Sequence, residues 1–247
     1  MKNSISFDSN LAKFGIGLFE TIKVKNGKVD LKYHMDRLFN SIKELNLSFN
    51  YERISLEEEI LNYINKNQIR NKVLRLTLFD EGFNISIRDI LYDKKSYDEG
   101  FKLNISSIKR GNSIIYRHKT TNYFENIYTK NLAVENGFND SIFIDTENNI
   151  LECSMSNIFF IKENIVYTPS EKLPILNGTT KRKVEKICKK LNIRLEKSNI
   201  SINEIKKFDY VFVSNAIMGV MKVTQIENII FKKYNDLFEI IKKNIND

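Results

Sequence analysis

Four short stretches carry residue types that could do chemistry. Lys119 lies in YRHKTTNYFEN, residues 116–126, after a histidine and just before a helical pattern. A lysine amine attacks carbonyl carbons when desolvation or a neighbouring cation depresses its proton affinity. Otherwise it is one more solvated charge, and the sequence does not display its surroundings. Glu152 lies among apolar and small residues in NILECSMSNIFFI, a segment that reads as a strand entering the core. A carboxylate there needs a partner, because burying it unpaired is costly; the other reading is an edge position in water. His34 and Arg37 are three apart on a helical pattern and share one face. Arg37 borders Leu38, so it either turns inward to hold a carboxylate or phosphate or lies along a solvated flank. His34 fits a satisfied core histidine or a supporting group equally. Gly178, Thr179 and Thr180 precede another helical stretch. Unbonded N–H groups at the positive end of a helix, with two hydroxyls beside them, suit an anion. Ordinary N-capping uses the same residues.

The elements that would position these residues follow from periodicity. GLFETIKVKNGKVDLK, residues 17–32, alternates around Asn26-Gly27 and predicts a hairpin. Leu31, Met35, Leu38, Ile42 and Leu45 then recur at helical spacing, which gives an amphipathic helix bearing His34 and Arg37. LEEEILNYINKNQ predicts a second helix, and KVLRLTLFD and FKLNISSIKR predict strands. This outlines a small α/β domain over residues 1–110. The break at Gly111-Asn112-Ser113 places a connector at 111–117, and a larger domain follows over 118–247. There, a helix from Tyr123 to Asn136 closes on Gly137 at the position after the cap. DSIFID, NILECSMSNIFFIK and NIVYTP predict strands, TTKRKVEKICKKLNI a helix, YVFVSNAIMGVMKV a strand running into an irregular turn, and YNDLFEIIKKNIND a closing helix.

Composition narrows the class. The chain has 247 residues, 42% hydrophobic and 28% charged, which fits a globular protein of one large or two modest domains. Nine glycines and two prolines argue against long linkers. The net charge of +8 is spread among acids rather than gathered in a tail, and no zinc-finger spacing occurs. The expectation is a small-molecule partner, with no nucleic acid, membrane or metal. Cys153 and Cys188 make neither a disulfide framework nor a zinc site, so a reduced, cytoplasmic setting is expected. The opening MKNSISFDSNLAKF lacks the apolar core and cleavage site of a signal peptide. No apolar run approaches the roughly 18 residues a membrane span needs.

The motifs, taken in order, resemble those of fold-type IV pyridoxal-phosphate enzymes, the class that holds branched-chain aminotransferases, D-amino-acid aminotransferases and aminodeoxychorismate lyases. GLFETIKVKNGKVDLKYHMDRL resembles the opening hairpin and H-x-x-R-L helix of that class. HKTTNYFENIYTKNLAVENGFNDSIFID resembles its cofactor-lysine segment, ILECSMSNIFFIKENIVYTP its glutamate segment, and ILNGTTKRKV its phosphate turn and helix.

The resemblance implies a two-domain α/β (α+β) fold like that of D-amino-acid aminotransferase, with pyridoxal 5′-phosphate in the interdomain cleft, and a homodimer. It implies that Lys119 holds the cofactor covalently and later shuttles protons, and that Glu152 pairs with the protonated ring nitrogen. Arg37, Gly178, Thr179 and Thr180 would contact the phosphate. Ser214-Asn215-Ala216-Ile217-Met218 resembles the N-A-L-M signature of the lyases, where aminotransferases carry Gly-Thr, and brings Asn215 into the cofactor set. Asn122 stands at the spacing from Lys119 found in lyases and D-aminotransferases, whereas Tyr123 follows it as in branched-chain enzymes. Arg88 and Arg110 are the candidates for a substrate carboxylate. The implied reaction splits 4-amino-4-deoxychorismate into 4-aminobenzoate and pyruvate for folate synthesis, with an amino-acid aminotransferase as the alternative. A basic binding protein that kept the fold without catalysis is a further alternative, and the joint presence of Lys119 and Glu152 speaks against it.

Overall fold

The computed structural model describes residues 1–246. The chain forms two compact units, Met1–Leu91 with His118–Tyr123, and Tyr92–Arg117 with Phe124–Asp247.

The first unit comprises α1 (Asn10–Phe14), β1 (Gly17–Val24), α2 (Lys32–Glu44), α3 (Arg53–Lys66), β2 (Lys72–Phe79) and β3 (Gly82–Arg88). Its strands form an antiparallel sheet in the order β1-β2-β3. Strand alternation sends Leu18 and Ile22, Leu74, Leu76 and Leu78, and Phe83 and Ile85 to one face. There they pack against Met35 and Leu38 of α2 and Leu56, Ile60 and Ile64 of α3. Each Leu or Ile buried in this way stabilises by roughly 1.5–3 kcal/mol. Asn26 and Gly27 form the expected turn with φ of 52° and 80°, and Lys25 and Lys28 exchange both backbone hydrogen bonds at 2.9 Å. The hairpin is a single bridge wide, however. β1 pairs along its length with β2, because Leu74, Leu76 and Leu78 complete its apolar face while the chain after Lys28 turns into α2.

Residues 118–123 run antiparallel to the start of β1. Thr120 bridges Leu18, Phe19 donates its N–H to Lys119 O at 2.9 Å, and Thr121 donates to Gly17 O at 2.9 Å. This edge pairing places Lys119 in the first unit.

The second unit comprises α4 (Lys94–Glu99), β4 (Phe101–Arg110), a 3-10 turn (Ile114–Arg117), α5 (Phe124–Glu135), β5 (Asp140–Asp145), β6 (Ile150–Cys153), β7 (Asn157–Lys162) and β8 (Ile165–Pro169). It continues with α6 (Thr179–Lys190), β9 (Leu195–Ser198), a second 3-10 turn (Ile202–Lys207), β10 (Tyr210–Asn215), β11 (Gly219–Ile226), β12 (Ile229–Ile230) and α7 (Asp236–Asn246). The sheet order is β6-β5-β4-β11-β10-β7-β8-β9, with β12 on β11. β4 pairs parallel with both β5 and β11. It therefore belongs to this sheet, not to the first domain where a boundary at residue 110 would put it. Phe101 and Leu103 fill a cluster with Ile142, Val223 and Ile226, a long-range match that no local pattern discloses.

β7 and β10 are buried on both faces, which accounts for their unbroken apolar runs IFFI and YVFV. Phe159, Ile161, Tyr210 and Phe212 pack against Val184 and Cys188 of α6 and Phe238 and Ile241 of α7. Ile158, Phe160, Val211 and Val213 enter the cluster on the other face. The segment read as one strand, residues 149–162, is two, because Ser154-Met155-Ser156 turns the chain between β6 and β7. Among the described residues no helix is long and apolar enough to cross a membrane, and no group of three or more His, Cys, Asp or Glu could hold a metal ion.

Candidate active site

The turn between β6 and β7 brings Glu152 and Asn157 together. Glu152 is 6% exposed, and its Oε2 accepts hydrogen bonds from Asn157 Nδ2 and from the Leu176 backbone N–H, both at 3.1 Å. Its Oε1 accepts from Arg110 Nη1 at 3.2 Å. The buried carboxylate is thus partnered, as its desolvation requires. The turn itself is fastened from three sides. Asn126 Nδ2 donates to Ser154 O at 2.7 Å, Asn215 Nδ2 to Met155 O at 3.3 Å, and the Ser154 hydroxyl to Asp140. Burial pushes the Asp140 carboxyl up from its ordinary value, against the opposing charge of Lys130 and the hydrogen bonds it accepts.

Asn157 also borders the start of α6. Gly178 is the N-cap, without a side-chain cap, and no acid lies in the first turn. Its φ of −64° suits any residue; space is what demands glycine. A Cβ there would stand 2.0 Å from Asn157 Oδ1, and that amide is already anchored to Glu152 and to Leu176 O. Thr179 and Thr180 are 3% and 5% exposed. Ser214 faces Asn157 across β10 and β7, on the side covered by α6, and its buried Oγ has no hydrogen-bond partner among the described residues. The second unit therefore gathers Glu152, Gly178, Thr179 and Thr180, with Asn157 between them. First-turn N–H groups that have no intrahelical partner, three buried hydroxyls and a glycine with no room for a Cβ fit a phosphate. A fixed carboxylate fits a protonated ring nitrogen.

In the first unit, adjacent residues of β1 face opposite ways. Glu20 shares the inward face of Leu18 and Ile22 and is 1% exposed. It accepts from Arg37 Nε at 2.8 Å and Nη2 at 2.6 Å, and lies 2.6 Å from His34 Nδ1. Burial works to raise its pKa, but Arg37, His34 and their hydrogen bonds outweigh it and hold the carboxyl down to about 2. The helix spacing of His34 and Arg37 does put both on one partner. Phe19 faces the other way. Lys119 Nζ is 4.3 Å from the Phe19 ring centroid and 4.8 Å from that of Tyr123, and Arg75 Cζ is 3.8 Å from Phe19. Lys119 is half-buried, and its neighbour His118 is fastened to α2 through Ser41 Oγ at 2.9 Å, with Glu44 Oε2 3.3 Å from its Nε2.

The two arginines expected at a substrate carboxylate occupy different settings. Arg88 is exposed at the end of β3. Arg110 is 2% exposed, and its guanidinium is spent on Glu125, Glu152 and Asn126. That placement corrects the expectation of a substrate role, because its donors already serve the buried Glu152 carboxylate and the part-exposed Glu125 carboxylate. Asn215 Oδ1 accepts from the N–H groups of Ile217 at 3.0 Å and Met218 at 2.9 Å, so it shapes the turn that follows β10. Arg75, half-buried and bonded to Thr77 Oγ1 at 3.4 Å, was not marked by sequence. Burial lowers its pKa, as does the charge of Arg88, with Tyr123 opposing. Nothing in the alternation of β2 distinguishes it from a solvated outer-face residue. Glu20 did carry a signal, being an acid on the apolar face of a strand.

The fold recurs in known proteins. Residues 17–226 match the family model described as amino-transferase class IV. The probable branched-chain-amino-acid aminotransferase of Rickettsia conorii is 28% identical, with 85% of this chain and 77% of that protein covered. The aminodeoxychorismate lyase of Bacillus subtilis is 24% identical, with 87% and 80% covered. A crystal structure from Legionella pneumophila, named “Putative 4-amino-4-deoxychorismate lyase”, superposes with a TM-score of 0.90 at 25% identity, covering 100% of this chain and 96% of that one. The chain belongs to the class IV aminotransferase family and is a pyridoxal-phosphate-dependent enzyme of mixed α/β fold.

Proposed function

We propose that the enzyme is a 4-amino-4-deoxychorismate lyase, releasing 4-aminobenzoate and pyruvate. The observation that carries this reading is the turn Asn215-Ala216-Ile217-Met218. Asn215 Oδ1 closes it by accepting from the backbone N–H groups of Ile217 and Met218, and Ala216 brings no hydroxyl to it. Lys119 Nζ would anchor the cofactor through its aldehyde, and as a free amine it would take the proton from the substrate carbon that bears nitrogen. Bound there, the cofactor supplies an electron sink. Glu152 holds the ring-nitrogen proton. Thr179, Thr180 and the N–H groups after Gly178 bind the phosphate, and Arg37, its Nε edge fixed by Glu20, adds a cation to it. Arg75 and Arg88 lie on the same face of the β1-β2-β3 sheet, and together they suit a dianionic substrate.

The same residues would serve an aminotransferase, which the Rickettsia relative favours at 28% identity. In that reaction Lys119 Nζ would give back the proton it had taken, and the product would be a keto acid. One paired assay separates the two. The holoenzyme is incubated with aminodeoxychorismate and, separately, with amino acids plus 2-oxoglutarate. Formation of 4-aminobenzoate with equimolar pyruvate is expected, and turnover confined to the second mixture refutes the lyase reading. We further propose a cytoplasmic homodimer acting in folate synthesis. α5 exposes Phe124, Ile127 and Tyr128 side by side, an apolar face suited to a second copy.

A further inference from the structure

Arg110 sits at the end of β4 with its guanidinium between two carboxylates. Nε donates to Glu125 Oε1 at 2.6 Å, Nη1 to Glu152 Oε1 at 3.2 Å, and Nη2 to Asn126 Oδ1 at 3.2 Å. Its Cζ lies 3.5 Å from the Phe143 ring centroid and 4.5 Å from that of Tyr116, so the group is clamped between aromatic surfaces. Tyr116 in turn donates its hydroxyl to Glu125 Oε2 at 3.2 Å. A carboxylate–guanidinium–carboxylate chain therefore runs from buried Glu152 to Glu125, whose side chain is 29% exposed.

The sign of the sum matters. Glu152 and Arg110 alone would cancel, leaving a neutral pair facing any cation that Glu152 meets. Adding Glu125 restores one net negative charge to the cluster (−1, +1, −1). Geometry is fixed as well. Arg110 holds Oε1 while Asn157 and the Leu176 N–H hold Oε2, so the plane of the Glu152 carboxylate is set. The other titratable groups around it are Cys153 on β6, Asp140 on β5 and Tyr116 on the 3-10 turn. Burial and neighbouring anions raise the Cys153 thiol, and burial with Glu125 raises the Tyr116 hydroxyl, so both stay neutral near pH 7.

Building on the reading that Glu152 pairs with the ring nitrogen, we propose that Arg110 and Glu125 are positioning residues for that proton. Arg110 orients the Glu152 carboxylate. Glu125 offsets the Arg110 charge, so that Glu152 still acts as an anion toward the ring.

The test uses holoprotein carrying pyridoxal phosphate labelled with ¹⁵N in the ring, whose chemical shift reports ring-nitrogen protonation directly. Glu125→Gln keeps the shape and removes the compensating charge, and Glu125 is exposed enough for the variant to fold. Its ring-nitrogen midpoint falls by about one pH unit, and the dissociation constant for pyridoxal phosphate rises by up to about tenfold. Arg110→Lys keeps the charge but loses the planar fork, so the midpoint stays near wild type while the dissociation constant rises. A merely structural role lowers apoprotein melting temperature and moves neither the midpoint nor, through Glu125→Gln, the affinity. Glu152→Gln separates the layers. If it shifts the ring-nitrogen midpoint and Glu125→Gln does not, this inference fails alone. If Glu152→Gln also titrates like wild type, the underlying reading of Glu152 fails, and this inference with it.

Discussion

Glu20→Gln is the substitution whose consequence the structure sets most fully. Glu20 is an anion on the core face of β1, held by both Nε and Nη2 of Arg37 and by His34. Its pKa is held down from an ordinary 4.5 to about 2. By linkage, that depression corresponds to about 3 kcal/mol of stability at neutral pH. The folded value lies below the unfolded one, so the contribution is complete above pH 4.5 and is lost as pH falls toward 2. About 2 of those 3 kcal/mol have gone by pH 3. Glutamine keeps the shape and some hydrogen bonds but leaves the Arg37 guanidinium in a site built for an anion. The loss at pH 7 is therefore about 3 kcal/mol, in the range seen when one partner of a buried pair is removed. Urea unfolding of apoprotein and variant, followed by circular dichroism at neutral and acid pH, measures both numbers. The two proteins should differ by about 3 kcal/mol at pH 7 and by about 1 kcal/mol at pH 3. Equal stability at pH 7, or a gap that stays constant on acidification, would show that the Glu20 anion is not what holds Arg37.

Lys119→Ala should abolish turnover and the cofactor absorbance that survives gel filtration; retained colour and activity would remove Lys119 from the chemistry. Gly178→Ala drives a methyl to within 2.0 Å of Asn157 Oδ1, so chemical denaturation should show a loss of about 1–3 kcal/mol together with weaker pyridoxal-phosphate binding; wild-type affinity would mean that the turn does not hold phosphate. Arg75→Met should raise KM for a dianionic substrate by roughly tenfold or more while cofactor affinity stays unchanged; an unaltered KM would take Arg75 out of the substrate site.

Much of the local architecture was legible because it obeys one periodicity at a time. The α2 stripe through Met35 and Leu38 and the doubly buried runs of β7 and β10 follow from side-chain spacing. What escaped depends on partners distant in sequence. Asn26-Gly27 does turn the chain, yet β1 takes β2 as its partner, because Leu74, Leu76 and Leu78 continue its apolar face while the chain after Lys28 turns at Leu31 into α2. β4 reads as a strand, but its parallel neighbours lie about 40 and 120 residues away, so its membership of the second sheet has no local mark. Of the residues proposed for the site, Lys119, Glu152 and Gly178 stand in motifs that the sequence displays in order. Arg75 is not so marked, because an arginine on the outer face of a strand looks like any solvated residue until the Phe19 ring beneath it is known.

The strand period itself divides the labour at the first unit's chemistry. Phe19 and Glu20 are consecutive, so β1 must send one to each face. Glu20 points into the core and fixes Arg37, while Phe19 points outward and supports both Lys119 and Arg75. A slip of one residue would exchange them, placing a carboxylate beside Lys119 and a phenyl ring against a buried guanidinium. Eight consecutive pairs with β2, from Gly17–Phe79 to Val24–Lys72, prevent that slip, and the bonds from residues 119–121 tie the lysine to the same register. The ordinary alternation of apolar residues in β1 and β2 thus does more than build a core: by fixing which face each residue takes, it decides which side chains stand beside Lys119 and which beside Arg37.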